Sequence, residues 1–401
     1  MKEFSLFAFF LIVLIPHFAA VSQDKKPLPR TAAGQYDESK VPQYFLPNPL
    51  VLSNGRRVTD TSTWNTMRRQ EILGMFETNV YGKAAVGRPD DMHWETTAVD
   101  SNALNDSAIS KKVTIYFSKK NARPKLHVTI ILPKTGKPVP VFLVSTWGPN
   151  AKLLIRNGFG LVTYDAREIE PDNKDSAYAY GIRKFFDPPD RTEPSADEWG
   201  TIAAWSWTAR RVMDYVETDA GIDARKVCIL GFSRFGKAAV WAGALDQRFA
   251  IVLSCESGCG GATLVRRGYG ETVKLINGQF PHWFDGNFKN FNDRPENLPV
   301  DWHMLIALMA PRPVYVSTAE QDVWGDPRGS FLAAKAAEPV YALFGETGLG
   351  VSDMPPVETP VGNFIGYHMR RGKHGITDYD TEKFLDFARR HFTAMDSRNQ
   401  H

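Results

Sequence analysis

The sequence predicts an α/β protein, a three-layer sandwich with a mostly parallel central sheet covered by helices on both faces. Three observations carry this. Apolar runs of strand length recur from Val113 onward, and between them lie longer segments whose apolar residues return at helical spacing. The later runs are apolar throughout, as strands buried on both faces are. Strand, helix and strand in repeated succession imply right-handed crossovers in one sheet.

Taken in order, Val113, Ile115 and Phe117 alternate with polar neighbours and predict a half-buried strand. Runs over 126–132, 139–145 and 159–164 predict further strands, the later ones central. Over 199–216, Ile202, Trp205, Ala209, Val212, Met213 and Val216 fall on one helical face. A strand over 227–230, a helix over 235–244 and strands over 250–255 and 313–319 follow, and a helix over 381–392 closes the chain. Nothing in this pattern divides residues 49–398, which read as one domain. The portion before residue 100 wraps or caps the sheet in a way the pattern does not resolve.

Composition narrows the function. Of 401 residues, 43% are apolar, enough for a full core, and 48 basic against 45 acidic side chains leave +3. So small an excess makes no phosphate-binding footprint, so no nucleic acid is expected as a partner. Ten Trp among 12% aromatic residues fit either a ring-lined groove or a Trp-rich core. Lys2, an apolar run over 4–15, Pro16 and the small residues Ala19 to Ser22 have the layout of a secretory signal peptide over 1–22, cleaved near Gln23. A dozen apolar residues fall short of the roughly 20 that span a bilayer, so no stable membrane anchor is expected. The mature protein is expected to be secreted or periplasmic, and a monomer. Pro27, Pro29, Pro42 and Pro47 mark 23–48 as an exposed leader. Cys228, Cys255 and Cys259 allow at most one disulfide, with the pairing open. No His-Glu-x-x-His occurs, and Cys255 and Cys259 lack a second pair at zinc spacing, so no metal and no cofactor is implied.

Chemistry concentrates in Gly231-Phe232-Ser233-Arg234-Phe235-Gly236, between a predicted strand and a predicted helix. A serine at such a strand-turn-helix junction is the nucleophile elbow of an α/β-hydrolase, although the second glycine comes one position late for Gly-x-Ser-x-Gly. The competing reading is an inert helix-capping serine. Arg234 and Lys237 lie in the first helical turn, where the macrodipole disfavours a cation by about 0.3 to 1 kcal/mol. An oxyanion donor lowers a barrier by about 2.7 to 4 kcal/mol, which outweighs that penalty; surface cations paired with carboxylates are the alternative. For a base the chain offers His374, flanked by glycines in a loop before the last helix, whereas His368 sits in an apolar run and reads as a packed strand residue. For the acid, Glu256 and Asp322 both follow strands at the carboxyl edge of the sheet, where ligand sites gather, and the choice stays open.

The run Gly231 to Lys237 resembles the Gly-x-Ser-Arg-x-Gly-Lys signature of the glucuronoyl esterases, carbohydrate esterase family 15, and resemblance extends over roughly 60–395. It implies a secreted α/β-hydrolase, a serine esterase that cleaves the ester between (4-O-methyl-)glucuronic acid of glucuronoxylan and lignin alcohols, with glucuronoxylan and lignin-carbohydrate fragments as partners. By motif position Ser233 is the nucleophile, Arg234 supports the oxyanion, Lys237 contacts sugar hydroxyls, Glu256 is the acid and His374 the base. Glu271 and Trp324 resemble the glucuronate contacts. Fungal members carry cysteines where this chain has Phe232 and Gly375, so it looks more like the bacterial branch. The stretch Ser145 to Asn150 also departs from the family's oxyanion loop. Another carbohydrate esterase, such as an acetylxylan esterase, and a silent carbohydrate-binding protein on the same fold are the alternatives.

Overall fold

A computed structural model describes residues 34–398 except 85, 120–122, 189 and 193, so the expected signal peptide lies outside the described residues. Ten strands form one sheet: β1 (His93–Asn102), β2 (Ala108–Tyr116), β3 (Lys125–Pro133), β4 (Val139–Ser145), β5 (Gly160–Tyr164), β6 (Ile222–Phe232), β7 (Ile251–Cys255), β8 (Val314–Ala319), β9 (Val361–Gly362) and β10 (Ile365–Arg370). Their order is β1-β2-β3-β5-β4-β6-β7-β8-β10-β9. The six strands β5-β4-β6-β7-β8-β10 are parallel. Antiparallel pairs finish both edges, with β1, β2 and β3 at one and β9 at the other.

Period-two alternation divides the strand side chains between two cores. Val141, Leu143, Ile229 and Val252 point into a large cluster with the helices Thr201–Val216 and Arg234–Leu245. Phe142, Val144, Cys228, Leu230, Ile251 and Leu253 point the other way, onto Phe384, Leu385 and Ala388 of the helix Asp378–Arg398. This is why the central strands are apolar without a break. Six of the tryptophans, Trp64, Trp199, Trp205, Trp207, Trp241 and Trp302, are fully buried, so most of the indole content is core. Tyr81 stacks on Trp241 with ring centroids 4.5 Å apart and donates its hydroxyl to Gly260 O at 2.9 Å.

The portion before residue 100 does two things. A helical stretch over 61–81, interrupted by π turns, buries Trp64, Ile72, Phe76, Val80 and Tyr81 against the larger core. Then β1 adds an edge strand with most of its residues exposed. Of the stretch expected as an exposed leader, Asp37 to Lys40 and Phe45 are exposed, yet the backbone around them is fastened: Gln35 O accepts from Gly270 N at 2.8 Å, and Pro47 O is bonded by His303 Nε2 at 2.8 Å. Glu38 pairs with buried Arg267 at 2.6 Å. Cys228, Cys255 and Cys259 are buried free thiols, not a disulfide. Among the described residues, no helix is long and apolar enough to cross a membrane.

Candidate active site

The turn after β6 is strained. Ser233 has φ 56 and ψ −128, a conformation that costs a non-glycine residue on the order of 1–3 kcal/mol. Neighbours hold it there: its N–H donates to Cys255 O at 2.9 Å. Gly231 has no room for a side chain, since a Cβ would lie 2.0 Å from Phe235 O. At Gly236 a Cβ would come 2.9 Å from Ser257 Cβ, so the second glycine is demanded where the helix passes the loop after β7, one position later than in the usual pentapeptide. Although Ser233 occupies the cap position, its hydroxyl makes no capping bond. A cavity of about 370 Å³ opens above it, lined by Trp147, Phe232, Ser233, Arg234, His374 and Ile376.

His374 stands in the loop between β10 and the last helix. Its Nδ1 meets two carboxylates at once, Asp322 Oδ2 at 2.8 Å and Glu256 Oε2 at 3.0 Å. The two acids that the sequence could not separate thus converge on one nitrogen. Glu256 is buried, follows β7 with φ 48, and also accepts from Gly375 N at 2.9 Å. Burial pushes its carboxyl up, against the pull of His374 and Arg370. For His374 burial acts downward, but hydrogen bonds and charge from Asp322 and Glu256 win and raise the imidazole to about 9. Phe232 packs its ring 4.7 Å from the His374 ring.

Both first-turn cations have carboxylate partners, the alternative the sequence had left open. The Arg234 guanidinium bonds Asp172 and lies over the rings of Trp283 at 5.0 Å and Phe280 at 5.4 Å, while still lining the cavity. Burial works against ionisation of Asp172, but bonds from His282, Trp283 and Arg234 hold it at about 2. Lys237 is buried and spends its three protons on Ser257 O at 2.6 Å, Cys259 O and Glu271 Oε2 at 3.3 Å. Glu271 in turn donates its N–H to Trp324 O at 2.9 Å. Trp324 sits in the short turn that follows Asp322, so Lys237, Glu271, Trp324 and Asp322 are linked one to the next beside the cavity's own lining residues, not among them.

Glu256, Asp322 and His374 are the group among the described residues whose ligand atoms all fall within 4.8 Å, a spacing compatible with a metal ion. A cation there would compete with the Arg370 guanidinium, which already holds Glu256 at 2.6 Å, and would displace both acids from Nδ1. The donor set is therefore better matched to an imidazolium than to a metal.

With this geometry, the family described as "Glucuronyl esterase, fungi" matches residues 115–345. A carbohydrate esterase from an unknown prokaryotic organism is 39% identical, over 96% of this chain and 98% of its own length. This chain belongs to the glucuronoyl esterases. The structure of a glucuronoyl esterase from Solibacter usitatus superposes with a TM-score of 0.84 at 43% identity, covering 88% of this chain and 99% of that one. The 4-O-methyl-glucuronoyl methylesterase 1 of Wolfiporia cocos is more distant, 28% identical over 86% of this chain and 83% of its own. This chain has the α/β-hydrolase fold of the glucuronoyl esterases, and it is a carboxylic ester hydrolase. Sequence reasoning missed several groups around this esterase's site. Asp172, Phe280 and Trp283 hold Arg234 from segments without periodicity. Trp147, 45% exposed, walls the cavity from the stretch Ser145 to Asn150, which the sequence marks as the place of the oxyanion loop without giving Trp147 a role. Arg370 left a signal, a charged residue ending an apolar strand next to the glycine-flanked histidine.

Proposed function

We propose that the protein hydrolyses esters of (4-O-methyl-)glucuronic acid, with lignin alcohols on glucuronoxylan as the natural leaving groups, and that it does so after secretion. The observation that carries the reading is Ser233 on its strained elbow lining one cavity with His374, whose far nitrogen is held by two carboxylates. In this reading His374 Nε2 takes the proton of Ser233 Oγ as Oγ attacks the ester carbonyl carbon at C6. The oxyanion is met by the N–H and guanidinium of Arg234, at the end of a helix whose first amides lack backbone acceptors. His374 returns the proton to the departing alcohol, and a water activated the same way releases uronic acid and frees Ser233.

Glu256 and Asp322 together orient His374 and stabilise its cation, which extends the expected Ser-His-Glu triad by a second acid. Glu271 meets the ring hydroxyls; Lys237, with its protons already engaged, serves first to set Glu271. Trp324 supplies the adjoining wall. On the alcohol side Trp147, Phe232 and Ile376 offer apolar surface suited to an aromatic leaving group. A panel of methyl glucuronate, benzyl glucuronate, acetylated xylan and nitrophenyl acetate tests the reading. It predicts the highest kcat/KM for the glucuronate esters, and a preference for acetylated xylan would overturn it.

A further inference from the structure

Behind the site one guanidinium touches nearly everything that positions His374. Arg370, the last residue of β10, is buried. Its Nη2 donates to Glu256 Oε1 at 2.6 Å and to Lys373 O at 2.7 Å, and also to Gly375 O. Nη1 donates to Arg371 O at 2.8 Å, and Nε lies 3.0 Å from Asp380 Oδ2, close as an ion pair but without hydrogen-bond direction. The loop 371–375 is thus wrapped around a single side chain, with the histidine at its outer turn. Glu256 uses one oxygen on Arg370 and the other on Gly375 N and His374 Nδ1. Further in, Asp380 Oδ1 meets His368 Nε2 at 3.0 Å, and His368 Nδ1 meets the Tyr315 hydroxyl at 3.0 Å.

We propose that Arg370 is a positioning residue of the esterase, fixing the catalytic loop and the Glu256 carboxylate as one unit, with Asp380 and His368 as its buried support. This rests on the reading of Ser233 as nucleophile and His374 as base. Arginine suits this place: Nη1 and Nη2 of its planar fork reach three carbonyls and the Glu256 carboxylate from two separate nitrogens while Nε pairs with Asp380, whereas lysine is a single point charge. Charge enters separately. Glu256 and Asp322 both face His374, and His374 and Arg370 together pull the Glu256 carboxyl down against the burial that pushes it up. Other titratable groups facing the cluster include Tyr36 beside Asp322, Glu320 accepting from Gly372 N, and Cys255, Tyr315, Tyr379 and Lys383.

The test compares Arg370→Met with Arg370→Lys, alone and with Glu256→Gln. It reads the rate of Ser233 labelling by a fluorophosphonate, kcat and KM for benzyl glucuronate, and the pH dependence of labelling. Both single variants are expected to lose about 10²-fold in labelling rate and kcat with KM little changed, the cost of a base displaced by about 1 Å. In Arg370→Met the rise of activity with pH moves to lower pH, because loss of the Arg370 charge lets burial push the Glu256 carboxyl further up and weakens its support of the imidazolium. Arg370→Lys keeps the charge and restores that pH dependence without restoring kcat. On the Glu256→Gln background the Arg370→Lys loss shrinks, since the two act through one another. Should Arg370→Met not fold, Arg370→Lys and its double variant carry the same comparison. Unchanged labelling in a folded Arg370 variant, or an undiminished loss beside Glu256→Gln, overturns the proposal. Failure of the wild type to label at Ser233 would instead overturn the mechanism beneath it.

Discussion

At the level of single residues the site combines a strained serine with a histidine held by two acids. That second feature fixes a pH dependence. His374, raised to about 9 by Asp322 and Glu256 against burial, is largely protonated at pH 7, so the basic form, and with it kcat/KM, grows as pH rises from 7 to 9. Removing either carboxylate lowers the imidazole pKa and moves that rise to lower pH, while weakening orientation. We expect Glu256→Gln to lose more kcat than Asp322→Asn, because Glu256 is the acid tied to the catalytic loop through Gly375. A pH-rate profile of the two variants on benzyl glucuronate checks both statements, and a larger loss at Asp322 would reverse their ranks. The sequence could not choose between these acids for a physical reason: both contact the same nitrogen, so neither is redundant by position.

Elements decide what surrounds that chemistry. The loop after β4 carries Trp147, whose ring meets Phe232 and Phe235 edge-on at 6.2 and 5.7 Å and carries the Arg167 guanidinium at 5.8 Å. Trp147→Ala should raise KM for benzyl glucuronate several-fold while sparing methyl glucuronate; equal effects on the two would remove the ring from the alcohol side. Behind the first helical turn, Asp172→Asn should lower kcat about tenfold, of the order of one hydrogen bond to a charged group, because it frees the Arg234 guanidinium from its anchor. Steady-state kinetics with KM as control checks this. The strands from Val113 onward and the elbow were readable because period-two runs and a strand-turn-helix motif are local signals. By contrast β1 is polar and exposed, and the helix Pro327–Leu343 contains Pro339, so neither announces itself in a periodicity. The partners of Arg234 lie on segments distant in sequence from Ser233, and no local pattern links them.

For the whole molecule, the parallel centre of the sheet gathers the carboxyl ends of β6, β7 and β8, and with them Ser233, Glu256 and Asp322, onto one edge, and the β10 loop brings His374 to the same place. Stability of this assembly also carries a pH signature. Asp285 is buried, with one oxygen accepting from Phe288 N at 2.8 Å and the other without a partner, and burial pushes its carboxyl up to about 8. Unfolded, it ionises near 3.8. Between those values the folded chain holds a proton that the unfolded chain has released, so stability falls as pH rises from about 4 to about 8. Asp285→Asn keeps the acceptor and removes the titration; melting curves at pH 5 and 8 should show the variant gaining several degrees more over wild type at pH 8 than at pH 5. Equal shifts at both would contradict the assignment. The account as a whole is tested most directly by the turnover of Ser233→Ala on benzyl glucuronate. It predicts hydrolysis lost by at least about 10³-fold with the melting temperature preserved, and turnover retained near the wild-type rate would contradict it.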